Sequence, residues 1–167
     1  VGSGPLSRDD VVAVARHSRP VRLSPDGVEA VRRSRAGIDA LAADDIPHYG
    51  ISTGFGALAV RHIPTDRRAD LQRHLVRSHA AGCGPEVERE VVRAMMLLRL
   101  ATMATGRTGA HPETVQAYLD LLNSGMVPVV PEHGSLGCSG DLAPLAHCAL
   151  VLLGEGEVRD DRGVRRP

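Results

Sequence analysis

The tripeptide Cys138-Ser139-Gly140, in a glycine-rich turn, is the part of the chain with the most distinctive chemical potential. If the backbone nitrogen of Gly140 attacks the carbonyl carbon of Cys138, a five-membered ring closes around Ser139. Glycine suits the attacking position because it has no Cβ and accepts unusual backbone angles. Loss of two water molecules, one of them from the Ser139 hydroxyl, would leave an imidazolone with an exocyclic methylidene. Such an electrophile comes from the chain itself and needs no external cofactor.

The turn stands immediately before an apolar segment, Leu142 to Leu153, whose composition predicts a buried helix. Asp141 occupies the position of a helix N-cap, and Pro144 suits a helix only because it falls in the first turn. On these residues alone, a capped helix start explains the segment without any special chemistry. If the ring forms, the N-terminus of the same helix would favour the negative charge that develops on the ring.

A second glycine-rich segment, HYGISTGFG from His48 to Gly56, contains two of the three aromatic residues of the chain. Its three glycines predict a shaped loop and exclude a regular helix or strand. A phosphate-binding loop is one interpretation, but the strand-then-helix context and the lysine of such loops are missing from the sequence. A surface turn remains the simplest interpretation of these residues taken alone.

A helix predicted from Arg67 to about Ala81 carries two histidines, His74 and His79. They are five residues apart, whereas zinc-binding helices place two ligands four residues apart on one face. His79 and Cys83 are four residues apart, but the sequence offers no further ligand to complete a site with them. The pattern therefore predicts no metal site. Taken by itself, a histidine near a helix end is a structural residue.

Three motifs in this order, YGISTGFG, LVRSHAAG and GSLGCSGDLAPLAH, together resemble the histidine and aromatic amino acid ammonia-lyases, and the resemblance covers nearly the whole chain. In that family such a tripeptide forms the methylidene-imidazolone. The family most often has alanine where this chain has Cys138, and cysteine there is similar to actinobacterial histidine ammonia-lyases. The Ser78-His79 pair also resembles the histidine-specific form.

The resemblance implies elimination of ammonia from L-histidine to give trans-urocanate. It implies that Tyr49 is the general base or lies beside it, that His79 holds the substrate imidazole, and that Gly56 lets the substrate approach the loop closely. The electrophile from Cys138-Ser139-Gly140 would bond either the amine or the imidazole ring of the substrate. The sequence does not distinguish these two routes, and both are covalent catalysis.

The resemblance also implies a mainly α fold with short strands, in which residues 1–167 are the N-terminal portion of a longer chain that continues into a helical bundle. Family members form homotetramers whose active sites draw residues from several subunits, so we expect this portion alone to be inactive. Two other interpretations stay open. One is an aromatic amino acid ammonia-lyase or a 2,3-aminomutase with the same electrophile, and the other is a non-catalytic helical assembly module.

Composition sets further bounds on partners and location. The 167 residues are 43% hydrophobic, enough for one packed domain, and 20 basic residues balance 20 acidic ones, which disfavours nucleic acid as a partner. Three cysteines without a CxxC pair suit a reducing compartment, so we expect a cytoplasmic protein. Arg93 and Arg99 interrupt the apolar run from Val91 to Met103, so no membrane span is predicted.

Local signals predict the remaining elements. A capped helix starts after Ser7, and another begins after Ser24 and ends near Ala43. Further predictions are a brief strand at residues 21–23, a long helix from Pro85-Glu86 to about Thr105, a helix from Pro112 to Asn123, and a polar hairpin over residues 157–165.

Overall fold

The computed structural model describes residues 1–137 and 140–167. Cys138 and Ser139 lie outside the described residues. Helix accounts for 51% of the described residues and strand for 9%, which confirms the mainly α prediction. The helices are α1 (Arg8–Ala15), α2 (Pro25–Ala43), α3 (Arg68–His79), α4 (Arg89–Ala104), α5 (Pro112–Asn123) and α6 (Leu142–Leu152), and the short strands are β1 (Cys83–Glu86), β2 (Val127–Pro128), β3 (Pro131–His133), β4 (Val158–Arg159) and β5 (Arg165–Arg166).

The core is built around α4, which packs against α1, α2 and α5. Its inward residues Met96, Leu97 and Leu100 are almost completely buried, and the flexible side chain of a methionine suits this role in filling the core. A helix that is apolar on nearly every face is expected to be buried either centrally or by neighbouring subunits. Within this chain, Val91 and Leu98 are half exposed on its outer face.

A buried arginine on α4 joins three helices at their ends. The Nε and Nη2 of Arg93 donate to the carbonyl of Val14 at 3.2 and 3.0 Å, and its Nη1 donates to the carbonyl of Leu122 at 3.0 Å. Both carbonyls lie in the last turns of their helices, α1 and α5, where the peptide dipoles concentrate negative charge. Burial lowers the pKa of Arg93, but a guanidinium stays charged in proteins.

The predicted helix start at Pro85-Glu86 is wrong. These residues belong to β1, which pairs antiparallel with β3, and the amide of Val87 continues the pairing by donating to the carbonyl of Val130 at 2.9 Å. Glu86 is held by Arg159, which donates to both of its carboxylate oxygens at 2.6 and 2.7 Å. Strand pairing with a distant segment therefore delays the helix until Arg89.

The brief strand predicted at residues 21–23 is also wrong. The Val21 backbone finds its partners in one side chain, because its amide donates to Asn123 Oδ1 and its carbonyl accepts from Asn123 Nδ2, each at 2.9 Å. The predicted polar hairpin is confirmed as β4 and β5, and β4 also pairs with β2. The serine caps predicted for α1 and α2 are confirmed by hydrogen bonds from Ser7 and Ser24.

In the part of the chain that the structure describes, no helix combines the length and the apolar character needed to span a bilayer.

Candidate functional site

The loop that carries Tyr49 is built on buried hydroxyl groups. Ser52 and Thr53 are fully buried, although both are polar. The Ser52 hydroxyl accepts from the amide of His48 at 2.9 Å, and the Thr53 hydroxyl accepts from the amide of Gly50 at 3.2 Å. The carbonyl of His48 accepts in turn from three amides, those of residues 51–53, at 3.0–3.2 Å. The predicted shaped loop is thus confirmed, with its form set by internal hydrogen bonds.

The far side of this loop is tied to neighbouring helices. The amide of Ile63 donates to the carbonyl of Ser52 at 2.8 Å, which folds the loop back on itself. Arg68, at the start of α3, donates to the carbonyls of Ile63 at 3.1 Å and Ala42 at 2.8 Å. The Tyr49 loop is therefore fixed to the end of α2 and to the beginning of α3.

Tyr49 and Gly56, predicted to share the site, lie in contact. The amide of Gly56 donates to the Tyr49 hydroxyl at 3.4 Å, and the ring stands edge-on to Phe55 with centroids 5.8 Å apart. The Tyr49 side chain is 65% exposed. Gly56 has a φ of 55°, and a Cβ added to it would meet no described atom within 4 Å. The loop thus presents a phenol beside an open stretch of backbone.

His79 is the last residue of α3, and its ring is held in one tautomer. Its Nδ1 lies 2.8 Å from the carbonyl of Leu75 and 3.0 Å from the hydroxyl of Ser78, which itself donates to the Leu75 carbonyl at 2.9 Å. Because a carbonyl only accepts, Nδ1 carries the hydrogen. In the neutral ring, Nε2 therefore keeps its lone pair for another molecule.

Asp141 precedes α6, as expected for an N-cap, but its carboxylate bonds elsewhere. It accepts from the Ser135 hydroxyl at 2.5 Å and from the Leu136 amide at 3.2 Å, so among the described residues it makes no cap bond to the first turn of α6. The predicted N-cap position of Asp141 is confirmed, but its carboxylate bonds to the residues in front of the helix instead of capping the first turn.

Two glycines flank Cys138-Ser139 among the described residues. Gly137 and Gly140 have φ values of 64° and 77°, in the left-handed region that favours glycine. The Asp141 carboxylate joins residues 135–136 to residue 141 across the tripeptide. The predicted electrophile itself needs Cys138 and Ser139, which lie outside the described residues, whereas Gly140 has the backbone freedom that the attacking position requires.

A further histidine, to which the sequence analysis assigned no role, joins two of the three motifs. The Nε2 of His147, on α6, accepts from the amide of Gly82 at 3.1 Å. Burial lowers the pKa of His147, which favours the neutral ring that this acceptor role needs. The signal was present in the sequence, since these two residues end the motifs LVRSHAAG and GSLGCSGDLAPLAH, but a sequence does not show that motif ends touch.

The structure brings the second and third motifs into direct contact. It connects the first motif to the start of α3 through Ile63, whose amide donates to the Ser52 carbonyl and whose carbonyl accepts from Arg68. Among residues 1–137 and 140–167, no group of three or more His, Cys, Asp or Glu side chains could hold a metal ion.

The sequence matches the family profile described as aromatic amino acid lyase over residues 6–167. A histidine ammonia-lyase of Streptomyces griseus is 62% identical over 167 residues, which is 100% of this chain and 32% of that protein. The chain thus spans about a third of the length of this curated relative.

Solved structures agree with the sequence match. The crystal structure of ergothionase, an ergothioneine-degrading enzyme of Treponema denticola, superposes with a TM-score of 0.93 at 36% identity, covering 98% of this chain and 33% of that one. Tyrosine aminomutase from Streptomyces globisporus gives a TM-score of 0.88 at 36% identity, covering 96% and 30%. With both the sequence and the fold matched along almost its whole length, the chain belongs to the aromatic amino acid lyase family.

Proposed function

We propose that residues 1–167 are the N-terminal portion of an enzyme that eliminates ammonia from L-histidine to give trans-urocanate. The observation that carries this proposal is His79, whose Nε2 has no hydrogen-bond partner among the described residues. His79 lies three residues before Gly82, which is bonded to His147 on α6, the helix that follows the tripeptide. The 62% identity to a histidine ammonia-lyase supports the choice of substrate.

His79 would bind the imidazole of the substrate. Its Nδ1 hydrogen is engaged by the Leu75 carbonyl, so the neutral ring accepts at Nε2 the N–H of a substrate imidazole. Ser78 supports this orientation, because its hydroxyl contacts both Nδ1 and the same carbonyl. A phenyl or phenol ring has no N–H to offer at this point, which favours histidine over the aromatic amino acids.

Tyr49, in its phenolate form, would receive a proton from the substrate and become a neutral phenol. The Gly56 amide that donates to its oxygen would stabilise negative charge on that oxygen, since hydrogen bonds to charged acceptors are stronger than those to neutral ones. Gly56 also keeps the adjacent space open, because it has no side chain. A base positioned in this way contributes roughly 100- to 10,000-fold to turnover.

Cys138-Ser139-Gly140 would form a methylidene-imidazolone, with no external cofactor. When formed, this group supplies the electrophile that activates the substrate for loss of ammonia. The residues around it support the assignment. Gly140 has the left-handed φ that only glycine adopts readily, and the Asp141 carboxylate holds the turn closed from Ser135 to the start of α6.

The site would be completed by later parts of the protein and by neighbouring subunits of a homotetramer. Support comes from apolar side chains exposed around the loops, among them Leu58, Val60, Leu142 and, at 88% exposure, Leu136. Surfaces of this kind are typical of interfaces. We expect residues 1–167 alone to be inactive, and we place the complete enzyme in the cytoplasm, without nucleic acid or membrane as a partner.

Two other functions make different predictions. The likeness to tyrosine aminomutase keeps an aromatic amino acid lyase or 2,3-aminomutase in view, and these would act on L-tyrosine or L-phenylalanine. A non-catalytic helical assembly module would keep Ser139 unmodified in a well-folded oligomer.

To test the proposal, the full-length enzyme is incubated separately with L-histidine, L-tyrosine, L-phenylalanine and ergothioneine, and the products are identified by mass spectrometry. We expect urocanate from L-histidine and no β-amino acid. Ser139→Ala should abolish turnover. Ser124→Ala is the matched control, because that hydroxyl bonds the Leu121 carbonyl at the end of α5, and it should leave turnover unchanged. Full activity in Ser139→Ala would contradict the proposal.

A further inference from the structure

We propose that His147 is a positioning residue, whose Nε2 holds the backbone of Gly82 and thereby sets where His79 stands relative to the turn that carries the tripeptide. The inference rests on the proposed function, and it adds a role for a side chain that lies outside the predicted set of site residues.

The first support is the hydrogen bond itself. The Gly82 amide donates to His147 Nε2 at 3.1 Å, across 65 residues of sequence. Gly82 is only three residues beyond His79, where α3 has already ended. His147 lies in the second turn of α6, the helix that follows the tripeptide. One side chain therefore links the segment after His79 to the helix after the electrophile.

The second support is the close approach of the backbone at the same point. A Cβ added to Gly134 would lie 3.1 Å from Gly82 Cα and 3.1 Å from the Cβ of Ala143. A Cβ added to Gly82 would lie 3.0 Å from His147 Nε2 and 3.2 Å from the Cβ of Pro131. Gly134 and His147 are the first and last residues of the motif GSLGCSGDLAPLAH, so Gly82 contacts both ends of it.

The contact needs an unprotonated Nε2. The Gly82 amide can only donate, so the nitrogen facing it must provide a lone pair, and Nδ1 carries the ring hydrogen. A protonated ring would place one donor against another. Partial burial of the ring disfavours that charged state, in agreement with the geometry.

A separate ion pair stabilises the packing of α3 on α6. Arg77 Nε and Nη2 donate to the two carboxylate oxygens of Glu155 at 2.7 and 2.6 Å, which ties α3 to the segment just after α6. Loss of the His147 bond would therefore leave the helices together and free the Gly82 backbone. The expected consequence is a small displacement of His79 and its bound substrate, and displacements of about 1 Å can cost about 100-fold in rate.

The test compares His147→Asn with His147→Gln in the full-length enzyme. The two side chains differ by one methylene, and the Gln oxygen reaches the position of Nε2 whereas the Asn oxygen stops near Nδ1. We expect Asn to lower kcat/KM for L-histidine by roughly 10- to 100-fold and to speed hydrogen exchange at the Gly82 amide. Gln should restore both to near the wild-type values.

Equal kinetics and equal Gly82 exchange in the two variants would overturn the inference. Gly82→Ala is a second test, because its Cβ would crowd Nε2, and unchanged kinetics in that variant would also count against it. Arg77→Ala is the control for a general loosening of α3, and it should leave Gly82 exchange unchanged. If the wild type yields no urocanate, the proposed function fails, whereas an exchange difference between Asn and Gln still supports the positioning contact.

Discussion

The α4 core and the loop layer of the site are stabilised by different kinds of interaction. In the core, Met96, Leu100 and Leu122 are completely buried, and even Arg93 is enclosed. In the loops, Tyr49 is 65% and Leu136 is 88% exposed. Burial of apolar surface stabilises the core, at roughly 25 cal/mol per Å². The loops take their form from hydrogen bonds within the chain.

Because the core and the loops are stabilised by different interactions, substitutions in the two regions should affect different properties of the protein. The hydroxyls of Ser52 and Thr53 and the carboxylate of Asp141 shape the loops, and the glycines allow their backbone angles. Changes there should alter turnover more than unfolding, whereas changes around α4 should alter unfolding more than turnover. All the following predictions concern the full-length protein.

The two tyrosines test this division most strongly. Tyr49→Phe should lower kcat by about 100-fold or more, because it removes the proposed base, while the melting temperature stays close to that of the wild type. The measurements are steady-state kinetics with L-histidine and thermal unfolding. Near-normal turnover would remove Tyr49 from the mechanism.

Tyr118→Phe is the matched control in the core. The Tyr118 hydroxyl is buried without a clear hydrogen-bond partner among the described residues, and the neighbouring Cys148 thiol is at most a weak one. Burial raises the pKa of Tyr118 well above its ordinary value and raises that of Cys148 to about 12. Removing this hydroxyl should leave both stability and kcat nearly unchanged.

Arg93→Ala should have the largest effect on stability. It leaves the Val14 and Leu122 carbonyls unpaired inside the core and opens a cavity between α1, α4 and α5. We expect a loss of about 3 kcal/mol or more in the free energy of unfolding, measured by denaturant titration. The kcat of the fraction that remains folded should be unchanged. A strong loss of kcat in the folded fraction would show that core and site are not separable in this way.

Asp141→Asn should affect the turn without affecting the core. An amide offers only one acceptor oxygen where the carboxylate now accepts from both Ser135 and Leu136. We expect a smaller fraction of chains with the dehydrated tripeptide and a roughly tenfold drop in turnover, comparable with the loss of about one charged hydrogen bond. Peptide mass spectrometry measures that fraction, and full dehydration at normal turnover would show that the turn closes without this carboxylate.

Substitutions at two glycines, Gly54 in the Tyr49 loop and Gly37 in α2, should give the smallest effects. A Cβ at Gly54 would lie 2.6 Å from the Cβ of Leu58, so Gly54→Ala should distort the Tyr49 loop and lower kcat/KM. Gly37, in the middle of α2, has open space around it. Gly37→Ala should raise the free energy of unfolding by about 0.5–1 kcal/mol without changing kinetics. The same kinetic effect in both variants would contradict a specific role for the loop.

Sequence patterns predicted the features that depend on local signals. The serine-capped helices α1 and α2, and α5 with Pro112 at its first position, were predicted close to their observed bounds, and so was the loop around Tyr49. The errors came from long-range partners. β1 forms where a helix start was predicted, because it pairs with β3. At Val21, where a strand was predicted, the backbone bonds to the side chain of Asn123 instead.

Within the site, the sequence indicated Tyr49, Gly56 and His79, and the first two are in contact. It could not indicate the tautomer of His79, the turn-closing bonds of Asp141 or the contact of His147 with Gly82. Each of these depends on which backbone groups the folded chain brings near a side chain. Residue types and spacing alone do not carry that information.

The most direct test of the central proposal is the mass of the peptide that spans Cys138-Ser139-Gly140, isolated from the full-length protein. The proposal predicts a peptide mass that is lower by two water molecules than the mass calculated from the sequence. In the Ser139→Ala variant, the peptide should have the mass calculated from its own sequence. An unmodified peptide from well-folded full-length protein would contradict the proposal, and it would leave these loops as parts of a helical assembly without catalytic function.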